Sequence, residues 1–215
     1  SNNKVLKNRL TPLFSFYSPG SKDWAYTTVP QMALTYIDQP HAYQPQGISP
    51  PGYTQFPHVP LDCGPPEFSR DDCGPPPLPP PLPKANAYVM TTEFKVSTDH
   101  PDLVPLYHIG RDNPYPSNRD FLLTTSATQV QAGVNNGYVY LGQQGYVYQA
   151  CSPEPGCIPP GAQKLWLKCK AADDDCAVFL ENQRASFEAQ GYTGAFTSGI
   201  SMLLGYAYPV IDTDG

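Results

Sequence analysis

The chain has 215 residues, including 27 prolines, 17 glycines and 15 tyrosines, and its formal net charge at pH 7 is −6. Only 15% of the residues are charged, and the 13 basic side chains are not clustered, which argues against a nucleic-acid partner. No stretch approaches the roughly 18 apolar residues that a membrane-spanning helix needs. Few charges with many tyrosines, glycines and prolines favour short strands joined by turns, and therefore an all-β fold.

In chain order, the first predicted strand is the alternating apolar run Thr11–Tyr17, which has the period of a half-buried strand. A polar turn leads to a second predicted strand, Asp23–Thr28, and then to a helix-compatible segment, Val29–Ile37. A glycine- and tyrosine-rich part begins at Ala42–Gly47 and resumes at Asn86–Met90. These elements form the first predicted unit.

An insertion, Pro50–Lys84, interrupts this unit and contains the proline tract Pro75–Pro83. Consecutive prolines adopt extended polyproline II, because proline fixes φ and has no backbone N–H to offer a sheet. Composition favours a stiff loop laid over the surface. The alternative is a contact element for a protein partner with an aromatic-lined groove.

The same order of elements returns twice further along the chain. Unit two consists of Val104–Gly110, Asp120–Thr125, Ser126–Val134 and Gly137–Tyr148. Unit three consists of Lys164–Cys169, Ala177–Asn182, Gln183–Gln190, Gly191–Phe196 and Leu204–Tyr208. Repetition at this spacing is typical of an architecture built from one repeated supersecondary unit.

Three four-stranded repeats in one domain, residues 1–215, predict a β-trefoil-like fold, in which a closed barrel leaves no exposed sheet edge. Repeat one covers residues 11–103 with the insertion at 50–84, repeat two covers 104–163, and repeat three covers 164–208. A second insertion, Gln149–Gly161, separates repeats two and three.

The six cysteines fall into three short-range couples. They are Cys63 with Cys73, Cys151 with Cys157, and Cys169 with Cys176. Sequence alone leaves the pairing open, since six cysteines allow many connectivities. The gaps are longer than those of zinc sites, so disulfides are favoured over a metal centre. Short disulfide loops predict an oxidising compartment, and thus a secreted, extracellular or cell-surface protein.

Unit two carries the motifs of a resemblance. Its Pro-Leu-Tyr at 105–107, Asp-x-x-x-Thr-Thr at 120–125 and Gly-Tyr-Val-Tyr at 145–148 resemble a secreted tyrosine-rich repeat of bacterial and fungal proteins, whose function is uncharacterised. Units one and three are more degenerate copies. The repeat has a histidine after the aspartate, whereas this chain has Trp24, Phe121 and Val178. The resemblance therefore implies a secreted repeat module that has kept aromatic packing and lost polar side chains.

The sequence contains no catalytic or cofactor-binding motif, which predicts a protein that is not an enzyme and needs no cofactor. Three of its four histidines, His41, His58 and His100, lie next to a proline in loop-like sequence, and His108 lies on a predicted strand with no acid beside it in the sequence. Three consecutive carboxylates, Asp173–Asp175, rarely supply the oxygens of a calcium site, so a solvated loop tip is favoured. Asp212 and Asp214 begin a partial calcium-loop motif, which leaves open a calcium-binding stalk or an ordinary polar tail.

Aromatic side chains beside acids and amides provide the functional prediction. Aromatic rings pack on the C–H faces of sugars while carboxylates accept from the hydroxyls, so exposed groups of this kind predict carbohydrate binding. The candidates are Asp23, Trp24 and Tyr26 in unit one, and Asn118 and Asp120 in unit two; unit three is expected to lack an equivalent. The first hypothesis is a glycan- or surface-binding module of a larger extracellular protein. The alternative is a structural subunit that assembles through its proline-rich insertion.

Overall fold

The computed structural model describes residues 9–37, 43–53, 82–91, 101–113, 118–170, 172, 175–195 and 202–210. Ten antiparallel strands form one sheet, and three short helices pack against it, which confirms the predicted all-β class. Among the described residues this sheet is open and does not close into the predicted barrel. The strands are β1 (Leu10–Ser18), β2 (Asp23–Thr27), β3 (Gln44–Gln46), β4 (Ala85–Met90), β5 (Leu103–Asn113), β6 (Asn118–Thr124), β7 (Val139–Tyr148), β8 (Gln163–Lys170), β9 (Asp175–Leu180) and β10 (Leu203–Ala207). The helices are α1 (Pro30–Ile37), α2 (Ala127–Asn135) and α3 (Arg184–Ala189), with a 3-10 turn, Glu181–Gln183, before α3.

The predicted order of strand, strand and helix is observed in each of the three units. β1, β5 and β8 form hairpins with β2, β6 and β9, and a helix follows each hairpin. Local hydrogen bonds end two of the second strands: the Thr27 hydroxyl accepts from Val29 N (3.0 Å) and the Thr124 hydroxyl from Ser126 N (3.2 Å). The Ser126 hydroxyl then caps α2.

The third strand explains where the long insertion begins and ends. In unit two, β7 pairs with β5 over its full length. In unit one the corresponding path is divided, because β3 pairs with the second half of β1 and β4 with its first half. Two backbone hydrogen bonds, Ile48 N to Ala85 O (3.0 Å) and Ala85 N to Ile48 O (2.9 Å), join the chain across this break. The insertion therefore interrupts a single strand path at a point where the chain ends are held together.

The prediction of four strands per unit is met only in unit one among the described residues. The tyrosine-rich segment of unit two forms one continuous strand, β7, and the described part of unit three contains β8, β9 and β10. Gly142 and Gly145, with φ of +118° and +124°, lie within β7 and let the strand bend without a break. These two glycines therefore allow the segment to continue as one strand, where the sequence predicts two.

The last strands of the three units, β4, β7 and β10, are neighbours in the middle of the strand order, and each contacts the other two at one end of its length. The paired residues are Met90 with Tyr146, Tyr148 with Tyr206, and Tyr208 with Tyr88. The approach is close, since a Cβ on Gly205 would lie 2.2 Å from the Tyr148 carbonyl oxygen. Buried tyrosine rings fill this end of the core.

Two of the predicted disulfides are present, Cys151–Cys157 and Cys169–Cys176. The first closes the loop of the second insertion, where Glu154 accepts from the Tyr206 hydroxyl (2.6 Å) and pairs with Lys164 (2.7 Å). Burial and this hydrogen bond raise the pKa of Tyr206 to about 12. The loop is thereby attached to β8 and β10.

Several predicted features lie in segments of the chain that the structure does not describe. Cys63, Cys73, residues 75–81 of the proline tract and the partial calcium-loop motif at the carboxyl terminus lie outside the described residues. None of the helices in the described ranges is long and apolar enough to cross a membrane.

Candidate functional site

Three buried aspartates occupy matching places in the three units. Asp23 and Asp175 begin β2 and β9, and Asp120 is the third residue of β6. Each carboxylate accepts a hydrogen bond from a tyrosine that follows the helix of the same unit. The donors are Tyr43 to Asp23 (2.9 Å), Tyr138 to Asp120, and Tyr192 to Asp175. These Asp–Tyr pairs connect the second strand of each unit to the chain beyond its helix.

The buried carboxylates influence one another's charge. Burial raises the pKa of Asp23 well above its ordinary value, and the charges of Asp120 and Asp175 raise it further. Hydrogen bonds from the Tyr43 hydroxyl and the Phe121 backbone act in the opposite direction. Within the described residues, no group of three or more histidine, cysteine, aspartate or glutamate side chains could hold a metal ion.

The structure corrects the predicted exposure of the carbohydrate-binding candidates. Asp23, Trp24, Tyr26 and Asp120 are all buried, with Tyr26 only 1% exposed and its hydroxyl accepting from Val178 N at 2.7 Å. The four side chains therefore belong to the core, because the second strands β2, β6 and β9 pack against one another, and they do not form open platforms. The side chain of Asn118 lies outside the described residues.

Asp175 corrects two further predictions. Asp173–Asp175 was expected to be a solvated loop tip, but Asp175 is 2% exposed and begins β9. Asp173 and Asp174 lie outside the described residues. Unit three therefore has the equivalent of Asp23 that it was expected to lack, and Cys176 rather than Val178 occupies the position after the aspartate.

The residue after each aspartate faces a residue of the first strand in the same hairpin. These pairs are Tyr17–Trp24, Gly110–Phe121 and Cys169–Cys176. The third pair is a disulfide. In the second, Phe121 fills the space over Gly110, where an added Cβ would lie 2.5 Å from its ring. In the first, two aromatic rings meet at 5.1 Å, and a cavity opens beside them.

This cavity has a volume of about 280 Å³ and lies between units one and three. Unit one contributes Tyr17, Trp24, Gln46, Gly47 and Asn86, and unit three contributes Lys170, Gln183, Phe187, Gln190 and Tyr192. We name it the Trp24 cavity. Its lining combines four aromatic rings with four carboxamides and one lysine, which is a typical composition for a small-molecule site.

The aromatic wall of the Trp24 cavity is held rigidly. The Trp24 indole N–H donates to the Tyr192 hydroxyl (3.0 Å), which in turn donates to Asp175. Phe187 packs 5.5 Å from the Trp24 ring and 5.7 Å from the Tyr192 ring. One of the three Asp–Tyr pairs therefore fixes the orientation of the rings that line the cavity.

The polar wall leaves hydrogen-bonding atoms for a ligand. Gln183 accepts from Leu180 N (3.1 Å) through Oε1, and Gln190 donates to Ser186 O (3.1 Å) through Nε2. Among the residues that the structure describes, the other amide atom of each has no protein partner, and neither has the Gln46 side chain. These three carboxamides therefore each have amide atoms that no described protein group satisfies.

His108, the one predicted-strand histidine, lies in the core of unit two. It is 1% exposed, packs 5.5 Å from Phe121, and burial lowers its pKa to about 3. The imidazole therefore remains neutral across the physiological range, unlike a general base, whose pKa lies near the working pH.

Comparison with protein-family models, with curated proteins and with solved structures found no match for this chain. No relative therefore indicates a function, and the geometry of the Trp24 cavity is the basis for proposing one.

Sequence reasoning identified one residue of the cavity, Trp24, and missed its other lining residues. A usable signal was present in unit three, since Gln183, Phe187 and Gln190 follow the spacing of one helical face. Tyr17 and Lys170 stand at matched ends of β1 and β8, but only the tertiary pairing brings those two strands to one cavity.

We predict that Asp23→Asn changes the pH dependence of stability. Because the folded-state pKa of Asp23 is raised above its ordinary value of 3.8, the wild type is penalised at neutral pH and recovers as the pH falls through the folded-state pKa. The unfolding free energy of Asp23→Asn minus that of the wild type should therefore shrink from pH 7 towards pH 4. Urea denaturation over this range measures the difference.

A matched control is Tyr43→Phe, which removes a hydrogen bond to the ionised carboxylate. Its destabilisation should be larger at neutral than at acid pH. A difference between the wild type and Asp23→Asn that stays constant with pH would contradict the buried, raised-pKa carboxyl.

Proposed function

We propose that the protein is a secreted, non-catalytic module that binds carbohydrate in the Trp24 cavity. The observation that carries the proposal is the combination of four aromatic rings with four carboxamides in the lining of one cavity. Sugar rings have apolar C–H faces that pack on aromatic rings, and hydroxyls that both donate to and accept from amides. The same lining would be poorly matched to a purely apolar ligand, because its amides would lose water without replacement bonds.

The proposed site differs from the exposed platforms that the sequence predicts. Trp24 remains a binding residue, while Asp23, Tyr26 and Asp120 act behind the site as parts of the core. The corresponding positions in the other hairpins are filled by Phe121 and by the Cys169–Cys176 disulfide. We therefore expect one site per chain, and strong attachment would need several copies side by side.

We also propose that the three units are repeats with a trefoil-like arrangement. A three-repeat, trefoil-like arrangement is supported by the recurring element order, the three Asp–Tyr pairs and the mutual contacts of the last strands. Membership of the secreted tyrosine-rich repeat family stays a prediction. It is favoured by Asp175, the aspartate at the start of the second strand of unit three. The two disulfides favour an oxidising, extracellular location.

Binding of simple sugars should be detectable through Trp24. In a Trp166→Phe background, Trp24 is the one remaining tryptophan, and its fluorescence should change on titration with a sugar that binds. Gln46→Ala and Gln190→Ala should each weaken binding about three- to tenfold, the value of one or two lost hydrogen bonds. Gln131→Ala, on the exposed face of α2, is the control and should bind normally.

The absence of any response across a panel of neutral and acidic sugars would overturn the carbohydrate proposal. Equal weakening by Gln131→Ala and Gln190→Ala would instead assign the effect to general destabilisation.

A second candidate function is assembly with another copy of the chain. The observation that favours it is the exposed apolar strip Val139–Leu141 at the start of β7, next to Val134 of α2. In the described residues, this part of β7 pairs with β5 and has no strand on its other edge. Two such edges could pair about a twofold axis, since the same surface is then used twice.

Light scattering during size-exclusion chromatography tests the assembly. A dimer that becomes a monomer in Tyr140→Lys, with unchanged circular dichroism, is the expected result. An identical oligomeric state for the wild type and Tyr140→Lys would reject this edge as the interface and leave the predicted proline-rich insertion as the alternative contact.

A further inference from the structure

The charge and size of the Trp24 cavity narrow the class of carbohydrate. Resting on the function proposed above, we infer that the ligand is a single uncharged hexose residue at the end of a glycan. The alternatives are an acidic sugar held by its carboxylate, or an internal stretch of a longer glycan.

The first step concerns charge. Among the lining residues, all of which lie in the described part of the chain, Lys170 is the one charged side chain. It stands directly opposite Asp175 in the β8–β9 hairpin, so a buried negative charge lies next to it. The carboxamides around the rest of the wall are neutral. An anionic sugar would therefore meet one lysine whose positive charge is offset by the buried Asp175, and it would bear the desolvation cost of its own carboxylate.

The second step concerns the placement of Lys170. Its aliphatic stem lies over Gly191, where an added Cβ would be 3.3 Å from Cε and 3.4 Å from Cγ. Gly191 has a φ of +99°, and its missing side chain leaves room for the stem. The stem thus forms part of the cavity wall. Lys170→Met keeps this wall and removes the charge.

The third step concerns size and shape. A volume of about 280 Å³ is just below the range of about 300–1,000 Å³ that is typical of small-molecule sites, so it suits one sugar ring. Trp24, Phe187 and Tyr192 are buried and close the inner end. Gly47 and Gln190 are exposed and lie at the mouth. A ring packed against these buried side chains fits the last residue of a glycan, whose chain continues out through the mouth.

The test uses matched pairs of sugars on the full chain. Isothermal titration calorimetry would compare the methyl glycosides of glucose, galactose and mannose with those of the corresponding uronic acids, which differ only at C6. At least one neutral glycoside should bind, and its uronic partner should bind about tenfold more weakly. Lys170→Met should keep or enlarge this preference for the neutral glycoside, because it removes the one positive charge of the lining and retains the stem.

The length of the ligand is tested with the di- and trisaccharides that end in the neutral sugar that binds. Their affinities should lie within about threefold of the monosaccharide's, because added residues stay outside the cavity. A gain of more than about tenfold per added residue would overturn the end-residue inference.

The possible binding results distinguish a wrong ligand class from the absence of carbohydrate binding. Tighter binding of a uronic glycoside, lost in Lys170→Met and retained in Lys170→Arg, would overturn the uncharged ligand and leave carbohydrate binding standing. Failure of every glycoside, neutral and acidic, to bind at millimolar concentration would overturn the proposed function itself. Circular dichroism and thermal unfolding of each variant show that it has folded.

Discussion

The burial of three carboxylates is the constraint on which the rest of the structure depends. A buried carboxylate without a hydrogen-bond donor is expensive, and here each one receives the hydroxyl of a buried tyrosine. The donor follows its aspartate by 20, 18 or 17 residues, with a helix in between. Because the tyrosine must return to the aspartate, the pair fixes where each helix ends and where the chain re-enters the sheet.

The same constraint explains how three similar hairpin-and-helix units lead to a cavity beside Trp24. Each aspartate places the residue after it against the first strand of its hairpin, and that residue differs among the units: Trp24, Phe121 and Cys176. Phenylalanine over glycine packs tightly and a disulfide closes its position covalently, whereas two tilted aromatic rings leave a gap. The Trp24–Tyr192–Asp175 hydrogen bonds then use the framework of unit three to hold a side chain of unit one. The cavity therefore results from the different side chains at matching positions of the three hairpins.

The sequence predicted most of the local structure, and the physical reason is periodicity. Alternating runs marked β1, β5 and β8, and the helix-compatible segments matched α1, α2 and α3 to within a residue or two. The third strand was harder, since β3 and β4 are two parts of one path separated by the insertion, and only pairing with β1 shows their relationship. Local patterns do not record such long-range partners.

The candidate site was predicted less well, because burial is a tertiary property. Asp23 beside Trp24 and Tyr26 has the composition of an exposed platform, yet the second strands lie inside the molecule. Asp175 is the last of three consecutive aspartates, and the predicted second strand of unit three began two residues too late, at Ala177. Its correspondence to Asp23 was therefore not recognised. The recurrence of a tyrosine 17 to 20 residues after each aspartate was available in the sequence and would have revealed all three pairs.

The most direct test of this account is the unfolding free energy at neutral pH of Tyr43→Phe, Tyr138→Phe and Tyr192→Phe, measured with urea. Each substitution keeps the ring and leaves a buried carboxylate without its donor, so each should cost about 1–3 kcal/mol. Tyr107→Phe, on a partly exposed ring packed edge-on to Tyr140, is the control and should change stability by less than about 0.5 kcal/mol. Three losses of similar size would support the shared framework, and losses no larger than the control's would contradict it.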